Sequence, residues 1–98
     1  MAKVDVVGRT ESPREHVREA VIRAVEVRLK EVQSSLRKVE KRLKGFEEEY
    51  QMTTEDFYSK YVGHKLEENM DFMEWRACKE ISDDLQEEME LLREIFSS

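Results

Sequence analysis

Ile22, Val25, Leu29, Val32, Leu36, Val39, Leu43, Phe46 and Tyr50 follow one another at alternating steps of three and four. That spacing is the heptad of a helix that lays one apolar seam against a partner helix. A strand is excluded, because its buried side repeats every second residue. The chain permits such a helix from about Pro13 to about Tyr50, since neither glycine nor proline interrupts it between Pro13 and Gly45. Ser12-Pro13-Arg14-Glu15 supplies the start. A serine side chain accepts a backbone N–H at the N-cap, proline has no donor to leave unpaired at the first position, and the glutamate completes a capping box. Gly45 costs about 1 kcal/mol inside a helix, yet the seam continues through Phe46 and Tyr50, so the helix is expected to run on. Val17, Ala20, Val21, Ala24 and Val27 widen the apolar face near the start, which predicts contact with more than one helix there.

Two shorter helices follow. Thr53 or Thr54 caps a helix over about 54–62, with Glu55 and Asp56 in the first turn to suit the helix dipole, and Gly63 is expected to close it in a left-handed conformation. A third helix over about 71–96 opens on Asp71 and Glu74 as a capping pair. Its seam reads Phe72, Trp75, Cys78, Ile81, Leu85, Leu92 and Ile95, with Met89 filling in beside Glu88. Residues 1–12 read as an arm in which Lys3 to Val7 is β-branched and closed by Gly8, a lone strand with no partner in the chain. The expected architecture is all-α and a single domain over 13–98: a long heptad helix, a short connecting helix and a C-terminal helix in a helical hairpin or coiled-coil bundle. Three glycines and one proline are too few turn formers for a sandwich, a barrel or a parallel α/β sheet. No apolar stretch reaches transmembrane length, and the N-terminus lacks the apolar core of a signal peptide. A single cysteine, Cys78, excludes an internal disulfide and fits a reducing cytoplasm.

Little in the chain suggests catalysis. His16 and His64 are the two histidines, and neither sits in a Cys/His cluster with zinc spacing. Cys78 falls on an apolar helix side, where cysteine packs as a small hydrophobe. Glu47-Glu48-Glu49 point in different directions around a helix, and there is no phosphate-binding glycine loop. The expectation is a protein that is not an enzyme and takes no metal or cofactor. The net charge of −6 is split, with residues 1–45 at +5 and residues 46–98 at −11. The basic long helix is therefore expected to pair with the acidic C-terminal helix. Arg37, Lys38, Lys41, Arg42 and Lys44 form the one stretch that could meet nucleic-acid phosphates. Because they flank the seam and the chain is acidic overall, that reading is the alternative rather than the main one.

Residues 57–76 hold five of the eight aromatics, Phe57, Tyr58, Tyr61, Phe72 and Trp75, with Met70 and Met73 between them. They either plug the end of the hairpin or form an exposed platform rimmed by carboxylates. The platform reading makes Phe57, Tyr61, Leu66, Glu67, Glu68, Asp71, Phe72, Glu74 and Trp75 a dock for a cationic protein. The run Phe57-Tyr58, Tyr61, Gly63, Leu66-Glu67, then Met70-Asp71-Phe72-Met73-Glu74-Trp75 resembles a motif in small helical proteins of archaea and bacteria, some of them antitoxin-like partners of small toxins. That resemblance spans about twenty residues and implies packing and pairing, with no catalytic residue to carry over. The expected function is a helical protein–protein interaction module, self-associating through the Ile22 to Tyr50 seam. Because the third helix is about a dozen residues shorter than the first, part of that seam should remain for a dimer partner. No membrane association is expected.

Overall fold

The computed structural model describes residues 13–97 as three helices, α1 (Pro13–Tyr50), α2 (Thr54–Val62) and α3 (Met70–Ser97). No strand occurs among the described residues. The Ser12 cap and the Lys3 to Val7 arm lie outside them. α1 and α3 form an antiparallel hairpin, and α2 closes the end where the chain turns back. The described residues extend 68 × 24 × 19 Å, the shape of a rod.

The α1 seam is covered by α3 of the same chain. Val25, Val32, Leu36 and Phe46 are buried, and Leu29, Val39, Leu43 and Tyr50 are half-buried. Only Ile22, near the open end, stays exposed. The surplus seam expected for a partner thus shrinks to the first turns of α1, where Val17, Ala20, Val21, Ala24 and Val27 are all exposed instead of being held between helices.

On α3 the buried stripe is Trp75, Cys78, Ser82, then half-buried Leu85, Met89 and Leu92. This corrects the seam read from sequence. Ile81 is 48% exposed and Ser82 only 4%. The steps from Trp75 through Ser82 to Leu92 alternate three and four without fault, whereas passing through Ile81 needs two successive threes. Geometry overrides residue identity here, and the buried hydroxyl is kept satisfied because Gln86 Nε2 donates to Ser82 Oγ at 3.1 Å.

Two caps also differ from expectation. Thr53 does cap α2, its Oγ1 accepting from the Asp56 N–H at 3.1 Å. For α3 the capping side chain is Asn69, whose Oδ1 accepts from the Phe72 N–H at 2.8 Å, rather than Asp71. Gly63 is not left-handed, with φ of −83°. The left-handed residue is His64, at φ 60°. Gly63 is constrained differently, since a Cβ there would stand 3.2 Å from the Ser59 carbonyl oxygen.

The closed end carries the principal aromatic core, formed by Phe46 of α1, Phe57 of α2, and Phe72 and Trp75 of α3. Trp75 stacks on Phe57 with ring centroids 4.0 Å apart and planes 3° from parallel, and on Phe46 at 5.4 Å. Its indole N–H donates to Thr54 Oγ1 at 3.1 Å, so the ring is buried without an unpaired donor. The plug, not the platform, is what the aromatic cluster builds. Trp75→Ala should therefore cost about 3–5 kcal/mol of unfolding free energy in denaturant titration, and emission from this sole tryptophan should be blue-shifted. In the same assay Ser82→Lys should destabilise far more than Ile81→Lys. The reverse order would show that α3 sits in the other register.

Candidate interaction surfaces

Two arginine–glutamate forks fix the level of α3 against α1. Arg28 donates from Nε and Nη2 to the two carboxylate oxygens of Glu88 at 2.6 and 2.9 Å. Arg42 makes the same pair of bonds to Glu74, the Nη2 bond at 2.7 Å, and its guanidinium also lies 4.7 Å from the Phe46 ring centroid. The forks are two heptads apart on each helix, so both project on one side of the hairpin, called here the forked face. Bidentate geometry holds the arginine and carboxylate in one relative orientation. Bonding to arginine lowers the Glu74 and Glu88 carboxyls below their ordinary value of 4.5. Their contribution to stability is present above that value and fades as pH falls through the lowered ones.

The opposite face is occupied at its closed end by α2. The Thr54 N–H donates to Glu47 at 2.7 Å, the Tyr58 hydroxyl to Glu80 at 2.8 Å, and Lys79 stands 5.2 Å from the Tyr58 ring centroid. A recess beside α2 is lined by charged and polar groups such as Glu40, Lys44, Lys79 and Asp83. Among the described residues no three His, Cys, Asp or Glu side chains gather as metal ligands. None of the described helices is long and apolar enough to cross a membrane. Cys78 is buried, and burial pushes its thiol pKa up, away from the thiolate needed for reactivity.

The structure brings the dock residues together but uses most of them internally. Phe57, Phe72 and Trp75 are buried, and Tyr61 and Leu66 half-buried against them. Asp71 accepts from the Tyr50 hydroxyl, Glu68 from the Tyr61 hydroxyl at 2.9 Å, and Glu74 from Arg42. Of the dock's carboxylates, Glu67 alone has neither an ion pair nor a hydroxyl partner in the hairpin. A dock needs exposed rings beside free charge, and residues 57–76 offer neither in quantity. The free carboxylates lie farther along, on the outward side of α3, where Asp84, Glu87 and Glu90 are exposed and unpaired.

The basic stretch divides as well. Arg42 is held by Glu74, whereas Arg37, Lys38, Lys41 and Lys44 point outward from α1 without an ion pair, as does Lys30 one turn and more before them. The C-terminal helix answers Arg28 and Arg42, whereas Lys30, Arg37, Lys38, Lys41 and Lys44 go unanswered, so the pairing of basic against acidic helix expected from the charge split is partial.

A feature absent from the reading of the sequence is the sidedness of the exposed apolar residues. Val17, Val21, Met70, Ile81, Leu91 and Ile95 all fall on the forked face or on the line of residues beside it. Ile22 and Phe96 belong to the seam at the open end, and Val27 and Met73 to the helix backs. On α1 and α3 none of the exposed large apolar residues falls on the α2 face. Steps of seven from Arg28 and Glu88 would have shown it once the antiparallel register was known. No known family, curated protein or solved structure was found to match the chain.

Three phenols donate to carboxylates, which leads to a pH dependence. Ionising any of them would set a phenolate against a carboxylate, and partial burial adds to that cost. The bond to Asp71 pushes Tyr50 up to about 12, while bonds to Glu80 and Glu68 raise Tyr58 and Tyr61. A raised folded pKa means the stabilisation is complete below the unfolded value of 10.0 and is lost as pH climbs through about 12. Thermal melts across that window should fall more steeply for the natural sequence than for a Tyr50→Phe, Tyr58→Phe, Tyr61→Phe variant. Equal slopes would mean the three bonds are not formed.

Proposed function

We propose that this chain is a non-enzymatic helical protein–protein interaction module acting in a reducing cytoplasm, with the antitoxin-like role implied by its motif as one form of that activity. The observation that carries this reading is the sidedness of the exposed apolar residues, since monomeric surfaces scatter such residues and docking surfaces gather them. The exposed carboxylates Glu87 and Glu90, on α3 away from the forked face, support a cationic partner, steered by charge and weakened by salt. The closed end holds the module rigid, and the long faces of the rod do the binding.

A second reading has its own support. Lys30, Arg37, Lys38, Lys41 and Lys44 form an unpaired basic ridge along α1, which suits nucleic-acid phosphates better than a set of charges neutralised within the hairpin. Such binding would weaken with salt by a logarithmic slope of about 0.9 per phosphate contact on duplex DNA.

Purification from the native cell separates the two. The interaction reading expects protein-like absorbance and a cationic protein partner. That partner should be lost on combined Glu87→Lys and Glu90→Lys substitution while circular dichroism stays unchanged. Co-purifying nucleic acid, released by Arg37→Glu with Lys41→Glu but not by the acidic substitutions, would replace it with the second reading.

A further inference from the structure

The forked face has a composition that fits its own copy. On this face, between residues 17 and 45, α1 presents Arg28, Lys38 and Arg42 against one acid, Glu31, while α3 presents Glu74, Asp84 and Glu88 and no base. A positive strip thus lies beside a negative strip of similar length. Apolar residues stand on both strips, concentrated at the open end in Val21, Leu91 and Ile95 and continued midway by Ile81. Ala24 and Ala77 on the same face leave room for a helix to approach closely.

We infer that the forked face is a homodimer interface in which α1 of one copy packs antiparallel on α3 of the other, related by a two-fold axis parallel to the helices. The inference rests on the interaction reading above and names the partner for this face. Face-to-face packing of two hairpins allows two such axes. An axis across the helices puts α1 on α1 and α3 on α3, stacking like charge on like. An axis along them puts each basic strip on the partner's acidic strip and makes every neighbouring helix antiparallel, as in a four-helix bundle. Charge complementarity selects the second. In that arrangement both open ends coincide, so Ile22 and Phe96, left uncovered at the ends of the intrachain seams, are flanked by the same apolar group from the second copy. The forks already neutralise Arg28 and Arg42 within each chain, so the interface does not bury them as isolated charges.

Light scattering on the full chain at tens of micromolar should give twice the 11.7 kDa monomer mass. Leu91→Glu with Ile95→Glu, or separately Ile81→Arg, should return the mass to that of a monomer with helicity intact, because these side chains are exposed in the hairpin. Glu26→Arg on the opposite face should leave the dimer unchanged. Ala24 of one copy lies level with Leu91 of the other, so Ala24→Cys with Leu91→Cys in a Cys78→Ala background should yield an oxidised dimer, and neither single cysteine variant should. Linking by Ala24→Cys alone would show like helices paired and overturn the axis. A monomeric wild-type chain, or a dimer indifferent to both forked-face variants, would overturn the inference. A monomer that still binds a cationic protein leaves the interaction reading standing, whereas a dimer that carries nucleic acid fails that reading and leaves this one.

Discussion

The stacking of Trp75 on Phe57 and Phe46 joins one residue from each helix, and the hairpin's geometry follows from it. A heptad seam alone does not fix the level of two antiparallel helices, because a slide by one heptad preserves most of the apolar contacts. Large flat rings remove that freedom, since they meet at one level only and fill the end completely. The indole bond to Thr54 adds a condition on α2, whose own start is set by the Thr53 cap and by Glu47 accepting from the Thr54 N–H. The connection between α1 and α3 thereby becomes part of the core instead of a loop over it.

With that level set, the rest of the interhelix surface falls into phase. Glu74 meets Arg42 one residue before Trp75, and two heptads on Glu88 meets Arg28. Exposed ion pairs add little to stability by themselves. Their value here is directional, because a hairpin slid by one heptad would oppose Arg28 with Ile81 or Ile95, and Arg42 with Ile81 or with a position before α3 begins. The same phase brings Ser82 into the seam and turns Ile81 out, a choice with no advantage in burial. Ile81, exposed midway along a face that is otherwise charged, is a residue that the inferred second copy would cover.

The long helix was legible in the sequence because it depends on local rules: an uninterrupted heptad, a proline start, a threonine cap for the next helix. The all-α class followed from the scarcity of glycine and proline. What was not legible depended on relations between helices. Choosing Ile81 over Ser82 treated residue type as the guide where packing phase decided. A start around Asn69 to Asp71 leaves either residue as the cap, because both can accept a backbone N–H and only the position of the first turn selects Asn69 over Asp71. The aromatic and carboxylate residues of 57–76 were located correctly as a cluster. Whether the rings face inward depends on α2 folding over the end, which one sequence does not reveal. The forked face is not visible in the sequence for the same reason, since its residues lie on two helices and become one surface only in the antiparallel register.

The two ends of the rod divide the work of the molecule. At the closed end every large ring has a neighbour, each tyrosine hydroxyl has a carboxylate, and most of the charge is used within the chain. At the open end Val17, Val21, Leu91 and Ile95 remain uncovered and the seam runs out at Ile22 and Phe96. If stability were the sole requirement, polar residues at these positions would cost nothing and would lower the risk of aggregation. Val17, Val21, Leu91 and Ile95 lie on the side opposite the one that α2 covers, which separates the part of the sequence that builds the hairpin from the part that the hairpin presents. The plug holds the two helices at a fixed level, and that level aligns the apolar and charged steps of the forked face into a surface another helix pair can match.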